Sequence, residues 1–432
     1  MFETLKNAFK IPELRKKIFI TLAFLLLYRV CCFIPVPGLN SEVFSSNLEG
    51  YDFLGIMSAI TGGSLSQGTL FAMGIGPYIN ASIIVQLLTV AIPKLERWAK
   101  SGEEGKRKLT LLTRWVTIIL AIAQSLGILL NFGTGDAVSF TIFGENNKWI
   151  TYAYMTAIYT AGAMLTMWIG ERITDYGVGN GISLLIFIGI ISTAGNAILN
   201  QFKLVFAGTS ETAIWNLIGF FIATIVIFAC IVTVDLAERK VPVQYAKQIK
   251  GRKMYGGQST IIPIKVNSSG VMPLIFAFAI ISFPDLIMSM FWPTSGARIW
   301  WSTYMGAGSW LYSVVLCLLI LAFAYFWSTM QFKPEDISES IQQNGGFIPG
   351  IRPGKPTAEH LKRINNRIVL FGAIFLALVA LIPTMIFQAV GGTSLINAFS
   401  ATGLLIVVSV ALEFDKQLQS QIMMKNYKGF LK

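Results

Sequence analysis

The chain has 432 residues, 54% of them hydrophobic and only 13% charged, with a net charge of +12 and a mean hydropathy of +0.63. A soluble domain of this size carries charge at nearly twice that frequency, so the composition argues against a bundle of buried soluble helices. A single histidine, His360, and four cysteines inside apolar stretches (Cys31, Cys32, Cys230, Cys317) leave no zinc-type ligand set, no histidine-based catalytic dyad and no secreted disulfide framework.

At the amino end, Leu5, Phe9 and Ile11 alternate with Lys6, Lys10, Arg15, Lys16 and Lys17. This reads as an amphipathic interfacial segment rather than a cleavable signal peptide. A helix needs about 20 apolar residues to cross a hydrocarbon core of roughly 30 Å. Ten windows meet that standard, at about 18–36, 72–92, 110–132, 151–169, 182–200, 215–234, 271–291, 309–329, 368–388 and 395–412. Of the 34 Lys and Arg, all but Arg29, Lys148, Lys203 and Arg298 belong to the amino tail, the even-numbered connections and the carboxyl tail. Basic residues stay cytoplasmic, so both termini and the even loops are expected inside. The positive charge therefore lies on one membrane face, where anionic lipid or an acidic partner meets it, and does not argue for nucleic acid as the primary ligand.

After the first window, residues 40–70 are too short and polar to cross a membrane yet too apolar for a solvent loop. A re-entrant segment and an extracytoplasmic helix fit this composition equally well. The second window carries Asn80, Ser82 and Gln86 beside Ile79 and Ile83, and the third carries Gln124. Isoleucines at i and i+4 share one helix face. This suits either a helix lining a hydrated cavity with a greasy constriction or ordinary packing around hydrogen-bonded amides. Gly177-Val178-Gly179-Asn180-Gly181 lacks the preceding strand and following lysine of a phosphate loop and reads as a turn between helices. Midplane carboxylates of the kind a gradient-coupled transporter uses are nearly absent: Glu171, Asp235 and Asp285 sit at span ends, and Arg29 toward the outer part of span one.

The windows divide five and five around a long basic loop, Asp235 to Gly270, and a second long loop runs from Gln331 to Arg367. The division permits an inverted repeat, although the halves show no convincing self-similarity. Both loops look ordered, with a short strand at Ile261–Val266 and helical patterning at Glu335–Gln343 and Thr357–Asn366. They are candidate docking surfaces.

The run Gly74-Ile75-Gly76-Pro77-Tyr78-Ile79-Asn80-Ala81-Ser82-Ile83-Ile84-Val85-Gln86-Leu87-Leu88 resembles the second-span signature of the SecY/Sec61-alpha family. So do Ile34-Pro35-Val36-Pro37-Gly38, Gly177 to Ser183, Tyr245-Ala246-Lys247, Gln258 to Asn267, Phe347 to Gly354 and Gly403 to Val408. Together, in order, they cover nearly the whole chain.

The resemblance implies an all-α integral membrane protein of ten transmembrane helices in two pseudo-symmetric five-helix halves, 1–200 and 201–432, around an hourglass pore. It carries a pore ring onto Ile79, Ile83, Ile182, Ile186, Ile275 and Ile406. It implies a plug, a short helix at about 54–69, with Leu54, Ile56, Ile60, Gly62, Gly63 and Leu65 as its named residues. Gln86 and Gln124 would lie at a lateral gate, and Gly76-Pro77 would kink the second helix where it meets the plug. Arg239, Lys240, Lys247, Lys250, Arg252, Lys253 and Arg352 would dock a SecA motor or a ribosome. Asn80 stands where a serine is expected, and Gln67-Gly68 weakens the plug helix.

The implied function is a non-enzymatic, cofactor-free protein-conducting channel of the bacterial cytoplasmic membrane. It would translocate secretory proteins and insert membrane proteins laterally. Its implied partners are SecE, SecG, SecA, the ribosome, signal peptides, unfolded preproteins and anionic lipids. A small-solute secondary transporter and a structural membrane scaffold are the competing readings.

Overall fold

The computed structural model describes residues 2–48, 58, 61–132, 138, 148–206, 212–245, 248–250, 253–255, 259–267, 270, 272–292, 295–306, 309–390 and 401–430. The chain enters through α1 (Phe2–Lys10) and breaks at Ile11 before α2 (Pro12–Cys31). The break has a local cause. Ile11 precedes a proline and is extended, at φ −94° and ψ 114°, while Pro12 sits in the first turn, where its missing N–H costs nothing.

Then follow α3 (Ser41–Leu48), α4 (Gly76–Ala91), α5 (Pro93–Lys100), α6 (Gly102–Phe132), α7 (Lys148–Tyr176), α8 (Gly181–Phe206) and α9 (Thr212–Leu236). Beyond the strands of the central loop come α10 (Met272–Phe291), α11 (Gly296–Tyr304), α12 (Trp310–Gln331), α13 (Pro334–Gln343), α14 (Lys355–Val390) and α15 (Ala401–Phe430). Each apolar window thus falls on a helix of its own: α2, α4, α6 to α10, α12, α14 and α15. By length and apolarity alone, four helices among the described residues qualify to cross a membrane, or five if α4 and α5, bent by 103°, form one span.

The qualifying windows are between 22% and 44% buried, so most of their apolar surface faces outward. Phe19, Leu22 and Leu26 on α2, Ile222 and Ile225 on α9, and Phe371 and Ile374 on α14 are all exposed. A water-soluble protein buries side chains of this kind; a lipid-facing surface displays them.

The helices pack as two groups. Within the first, α6 lies against α4, α5 and α7, and α7 against α2 and α8; within the second, α12 bridges α10 and α14, and α15 lies against α9 and α14. The groups touch where α6 meets α10, where α8 meets α9 and α15, and where α1 meets α15. A two-pronged ion pair joins α6 to α7: Arg114 Nε and Nη2 donate to Glu171 Oε1 and Oε2 at 3.1 and 2.7 Å. Glu171 is mostly buried and Arg114 less so.

The two long loops form one body. β1 (Glu238–Tyr245) pairs antiparallel with β4 (Ser259–Lys265), placing Val241 opposite Ile262, and its far end pairs with β5 (Gly346–Phe347) from the second loop. Pro242 sits where β1 has only β4 beside it, the edge position that tolerates a missing N–H. Val241, Val243 and Ile264 bury their side chains against Ile341, Ile348 and Leu361, so both loops share one apolar core. At the tip, β2 (Gln248–Lys250) and β3 (Lys253–Tyr255) form a separate ribbon. The expected strand at Ile261–Val266 lies largely within β4, and the pattern at Glu335–Gln343 is α13. Thr357–Asn366 is helical as well. Nothing breaks the helical backbone after it, and it forms the first turns of α14.

Glu171→Ala removes both hydrogen bonds to Arg114 and leaves a half-buried guanidinium without its partner. It should cost roughly 1–3 kcal/mol, read as a fall in thermal unfolding temperature of the detergent-solubilised protein, whereas Glu96→Ala, at an exposed pair within one helix, should change it little.

Candidate functional site

The Gly177–Gly181 stretch is indeed a turn, and it sets the position of α8. Asn180 Oδ1 accepts from the backbone N–H of Ile182 at 3.1 Å and of Ser183 at 3.5 Å, capping the helix start. Val178 N–H donates to Thr21 Oγ1 at 3.0 Å, tying the turn to α2. A Cβ on Gly181 would overlap the Gly170 carbonyl oxygen and lie 2.8 Å from Ile173 Cβ. Only glycine lets α7 and α8 approach this closely. The consequence is the placement of Ile182 and Ile186 one turn further on.

Ile186 and Ile406 are buried in one apolar cluster, and Ile79, Ile182 and Ile275 pack against it. These five side chains come from α4, α8, α10 and α15, two helices of each group. Ile83, one turn along α4 from Ile79, is buried but does not join that cluster. Around the cluster, Tyr28 of α2 stacks on Phe71 with ring centroids 5.5 Å apart. The arrangement offers dispersion and apolar area with no hydrogen-bonding group on the isoleucines themselves.

The helix of the second window begins later than its hydropathy suggests. Residues 61–75 are turns, and α4 starts at Gly76 with Pro77 in its first turn. Gly76-Pro77 therefore starts a helix and does not kink one, because a first-turn proline sacrifices no intrahelical bond. The sharp bend lies at Ile92, extended before Pro93.

Of the expected plug residues, Leu54, Ile56 and Ile60 lie outside the described residues. Through 61–69 the expected helix is replaced by turns, for which Gly62, Gly63 and Gly68 supply positive φ values of 71°, 85° and 60°. Thr61, Ser64, Leu65 and Thr69 are buried, so this irregular backbone runs inside protein. Several of its polar groups are met locally, while Ser64 Oγ has no hydrogen-bond partner among the described residues. Thr61 Oγ1 donates to the Ser58 carbonyl at 3.1 Å and accepts from Leu65 N–H at 3.4 Å, and Thr69 Oγ1 donates to the Ser64 carbonyl at 3.2 Å. Leu70 N–H donates to the Ile34 carbonyl at 2.9 Å, joining the segment to the Ile34–Gly38 stretch. Leu65 packs with Val36, Met73, Leu129 and Met155, a different cluster from that of the isoleucines.

Gln124 is buried on α6, the helix that meets α10, and its Oε1 has no partner among the described residues. Gln86 is half-buried on α4. At the loop end, Asp235 accepts from Asn267 Nδ2 at 2.6 Å and from Ser409 Oγ at 2.7 Å, linking α9, the base of the β1–β4 ribbon and α15. Burial pushes the nearby Lys416 ammonium down, with Lys265 adding to the effect and Asp235 opposing it. The sequence marks Asp235 only as a span-end carboxylate; its partners lie 32 and 174 residues away, a pairing no local signal reveals.

Arg239 and Lys240 are exposed on β1, with Lys240 Nζ 3.6 Å from Glu238. Lys250 and Lys253 face each other in the β2–β3 register, while Lys247 and Arg252 lie outside the described residues. Arg352 is exposed between Gly350 and Gly354, both at positive φ. Its backbone is held: Thr357 Oγ1 donates to the Arg352 carbonyl and Ser338 Oγ to that of Gly354, at 2.8 and 2.7 Å.

A family profile named SecY matches residues 69–414. The chain is 41% identical to the protein translocase subunit SecY of Streptomyces galbus and 39% identical to that of Halalkalibacterium halodurans, each alignment covering 100% of both proteins. Its fold is similar to that in a solved structure titled "The structure of a protein conducting channel", with a TM-score of 0.68 over 94% of this chain and 92% of that one at 20% identity. Sec61 in the canine ribosome-channel complex from the endoplasmic reticulum aligns over the same shares with a TM-score of 0.63 and 20% identity.

Gly181→Ala should separate α7 from α8 and cost about 1–3 kcal/mol through overpacking, lowering the thermal unfolding temperature in detergent. Gly195→Ala on the same helix, where an added Cβ meets nothing within 4 Å, should leave it unchanged or raise it.

Proposed function

The chain belongs to the SecY family and is a protein-conducting channel subunit of a protein translocase, and we propose that its isoleucine cluster is the seal of that channel. The observation that carries this reading is the convergence of Ile79, Ile182, Ile186, Ile275 and Ile406 from helices of both groups. Ile83, buried one turn along α4 from Ile79 though outside that cluster, would be the sixth member of the ring, as the resemblance implies. A narrow waist of such side chains dewets and resists ion flow, yet parts around any extended polypeptide because it recognises none by hydrogen bonds. The turns at 61–69 belong to the plug, seated on the outer side of the ring.

In this reading the ten long helices all span the bacterial cytoplasmic membrane, five in each half, with both termini and the basic loops inside. The seam between α4 and α6 on one side and α10 and α12 on the other is the lateral gate, with Gln86 and Gln124 as its polar members. Signal peptides and membrane anchors leave through it, while preproteins cross unfolded. Completion by SecE and SecG and contact with anionic lipid on the basic face follow from the family. The single body built from both loops presents Arg239, Lys240, Lys250, Lys253 and Arg352 to SecA or to the ribosome, with Lys247 and Arg252 in the same loop. No ATP-binding loop is legible in the sequence, so the work comes from that partner.

Reconstituted in vesicles with SecE and SecG, the chain should import a signal-bearing precursor when SecA and ATP are supplied. Solute uptake driven by an ion gradient, without precursor import, would instead establish the secondary transporter. In the same vesicles Ile406→Asn or Ile275→Asn should raise resting ion leak and admit precursors with defective signals, and an unchanged leak would remove both residues from the waist. Arg352→Glu should reduce SecA-driven import at least about tenfold, the scale of losing one charge-assisted contact, while the protein reaches the membrane in normal amounts. Import at the wild-type rate would leave Arg352 a turn residue only.

A further inference from the structure

The channel reading gives no task to Arg29, the one cation inside the first apolar window. A guanidinium within a membrane span is expensive to place and is kept where something uses it. Arg29 reaches away from α2 to α8, where its Nη2 donates to Ser192 Oγ. Its guanidinium carbon lies 5.5 Å from the centre of the Phe33 ring, a cation–π contact that fixes its plane. The other terminal nitrogen, Nη1, is buried and has no hydrogen-bond partner among the described residues.

That nitrogen lies against the double-glycine turn. A Cβ built on Gly62 would overlap Arg29 Nη1 and would stand 3.3 Å from both the Cα and the carbonyl oxygen of Gly189 on α8. Gly62 is thus held between the guanidinium and the backbone of α8. Its neighbour Gly63 has the same handedness, at φ 85° against 71°, but a Cβ there meets nothing within 4 Å among the described residues. Two adjacent glycines share one backbone requirement and differ in whether Arg29 is beside them.

We propose that Arg29 is a positioning residue of the resting channel, clamping the Gly62 turn of the plug against α8 so that the plug stays seated until a substrate displaces it. This rests on the reading of residues 61–69 as part of the plug. The guanidinium suits the role because its fork reaches in two directions at once: Nη2 hydrogen-bonds Ser192 and so holds Nη1 in close packing contact with the Gly62 turn. Moving the turn away exposes Nη1 to whatever fills the vacated space, and water or a passing carbonyl can satisfy it. The clamp therefore weakens when the pore hydrates.

The test uses the full chain with SecE and SecG in vesicles, reading resting ion conductance and import of a precursor with a defective signal. Membrane abundance is measured for every variant. Arg29→Gln should raise both readouts, up to roughly tenfold, the scale of one lost charge-assisted hydrogen bond, and Arg29→Lys should recover part of the seal. Gly62→Ala should leak like Arg29→Gln, whereas Gly63→Ala, with the same positive-φ penalty and open space around it, should leak less. The double variant Arg29→Gln with Gly62→Ala should be no leakier than either single one, because both remove the same contact. If Arg29→Gln fails to reach the membrane, Ser192→Ala tests the same clamp from the other side and should give a smaller leak.

Equal leaks from Gly62→Ala and Gly63→Ala would overturn the clamp, as would an Arg29→Gln or Ser192→Ala channel as tight as the wild type while Ile406→Asn leaks. If Ile406→Asn is also tight, the seal reading itself fails, a result distinct from failure of the clamp.

Discussion

Hydrocarbon supplies no water to complete a backbone hydrogen bond, so every departure from helix at membrane depth must be satisfied by the protein itself. This constraint orders the rest of the molecule. The turns at 61–75 run inside protein, between the Ile34–Gly38 stretch, α7 and α8, and Thr61 and Thr69 meet backbone groups that a helix would have bonded internally. The proposed plug, built this way, would be able to move, because turns joined by side chains open at lower cost than a helix unwinds. It can also be placed wrongly unless something beyond its own bonds seats it. The helices that surround it are therefore not free to drift, and the close approach of α7 to α8 at Gly181 becomes a condition for both the plug's seat and the positions of Ile182 and Ile186.

A second consequence concerns the two groups of helices. Contacts within each group are extensive, and the groups meet along α6 with α10, along α8 with α9 and α15, and where α1 packs on α15. The isoleucines sit on that boundary. A waist formed between two bodies dilates by moving them, without repacking either interior, and interiors resist repacking because they are packed at crystal-like density. The long loops follow the same logic. Val241, Val243 and Ile264 share a core with Ile341 and Leu361, and Leu361 belongs to α14. Whatever presses on Arg352 or on the β1–β4 ribbon presses on one rigid piece rooted in the second group, with Asp235 tying its base to Ser409 of α15.

Much of this was legible in the residues, and the gaps have physical causes. Long apolar runs announced the helices because hydrocarbon thickness sets a length. The isoleucine spacing on the second span showed a shared face but not its partners. Ile275 and Ile406 join it only through tertiary packing, so their pore assignment came from resemblance. Glycine-rich Gly177–Gly181 was correctly a turn, since the spacing lacked what phosphate binding requires. The boundaries went astray where hydropathy continues but backbone geometry does not. Leu70–Ile75 is as apolar as the helix it precedes, and only the positive φ at Gly68 and Gly74 shows that it turns. Thr357–Asn366 is helical as its pattern indicates, but the helix runs on past Gly372 and Pro383 to Val390, so breaker residues alone do not mark its end.

Arg29 marks the boundary between the two kinds of reading. Its cost was visible in the sequence, since a cation in an apolar window calls for a reason. Its use was not, because Ser192 lies 163 residues away and Gly62 on a segment with no helical period. The isoleucine ring and the arginine also differ in kind. An apolar waist holds through area, which yields gradually as side chains part. The charge-assisted hydrogen bond from Arg29 to Ser192 fixes where the guanidinium sits against the Gly62 turn, and such a bond is lost over a fraction of an ångström to an ångström. A channel sealed only by the ring would leak in proportion to thermal breathing of its two bodies. One that also clamps its plug by geometry has a threshold below which breathing opens nothing. In the proposed arrangement, a graded seal and a sharp latch in series would let the pore accept any polypeptide and still rest closed.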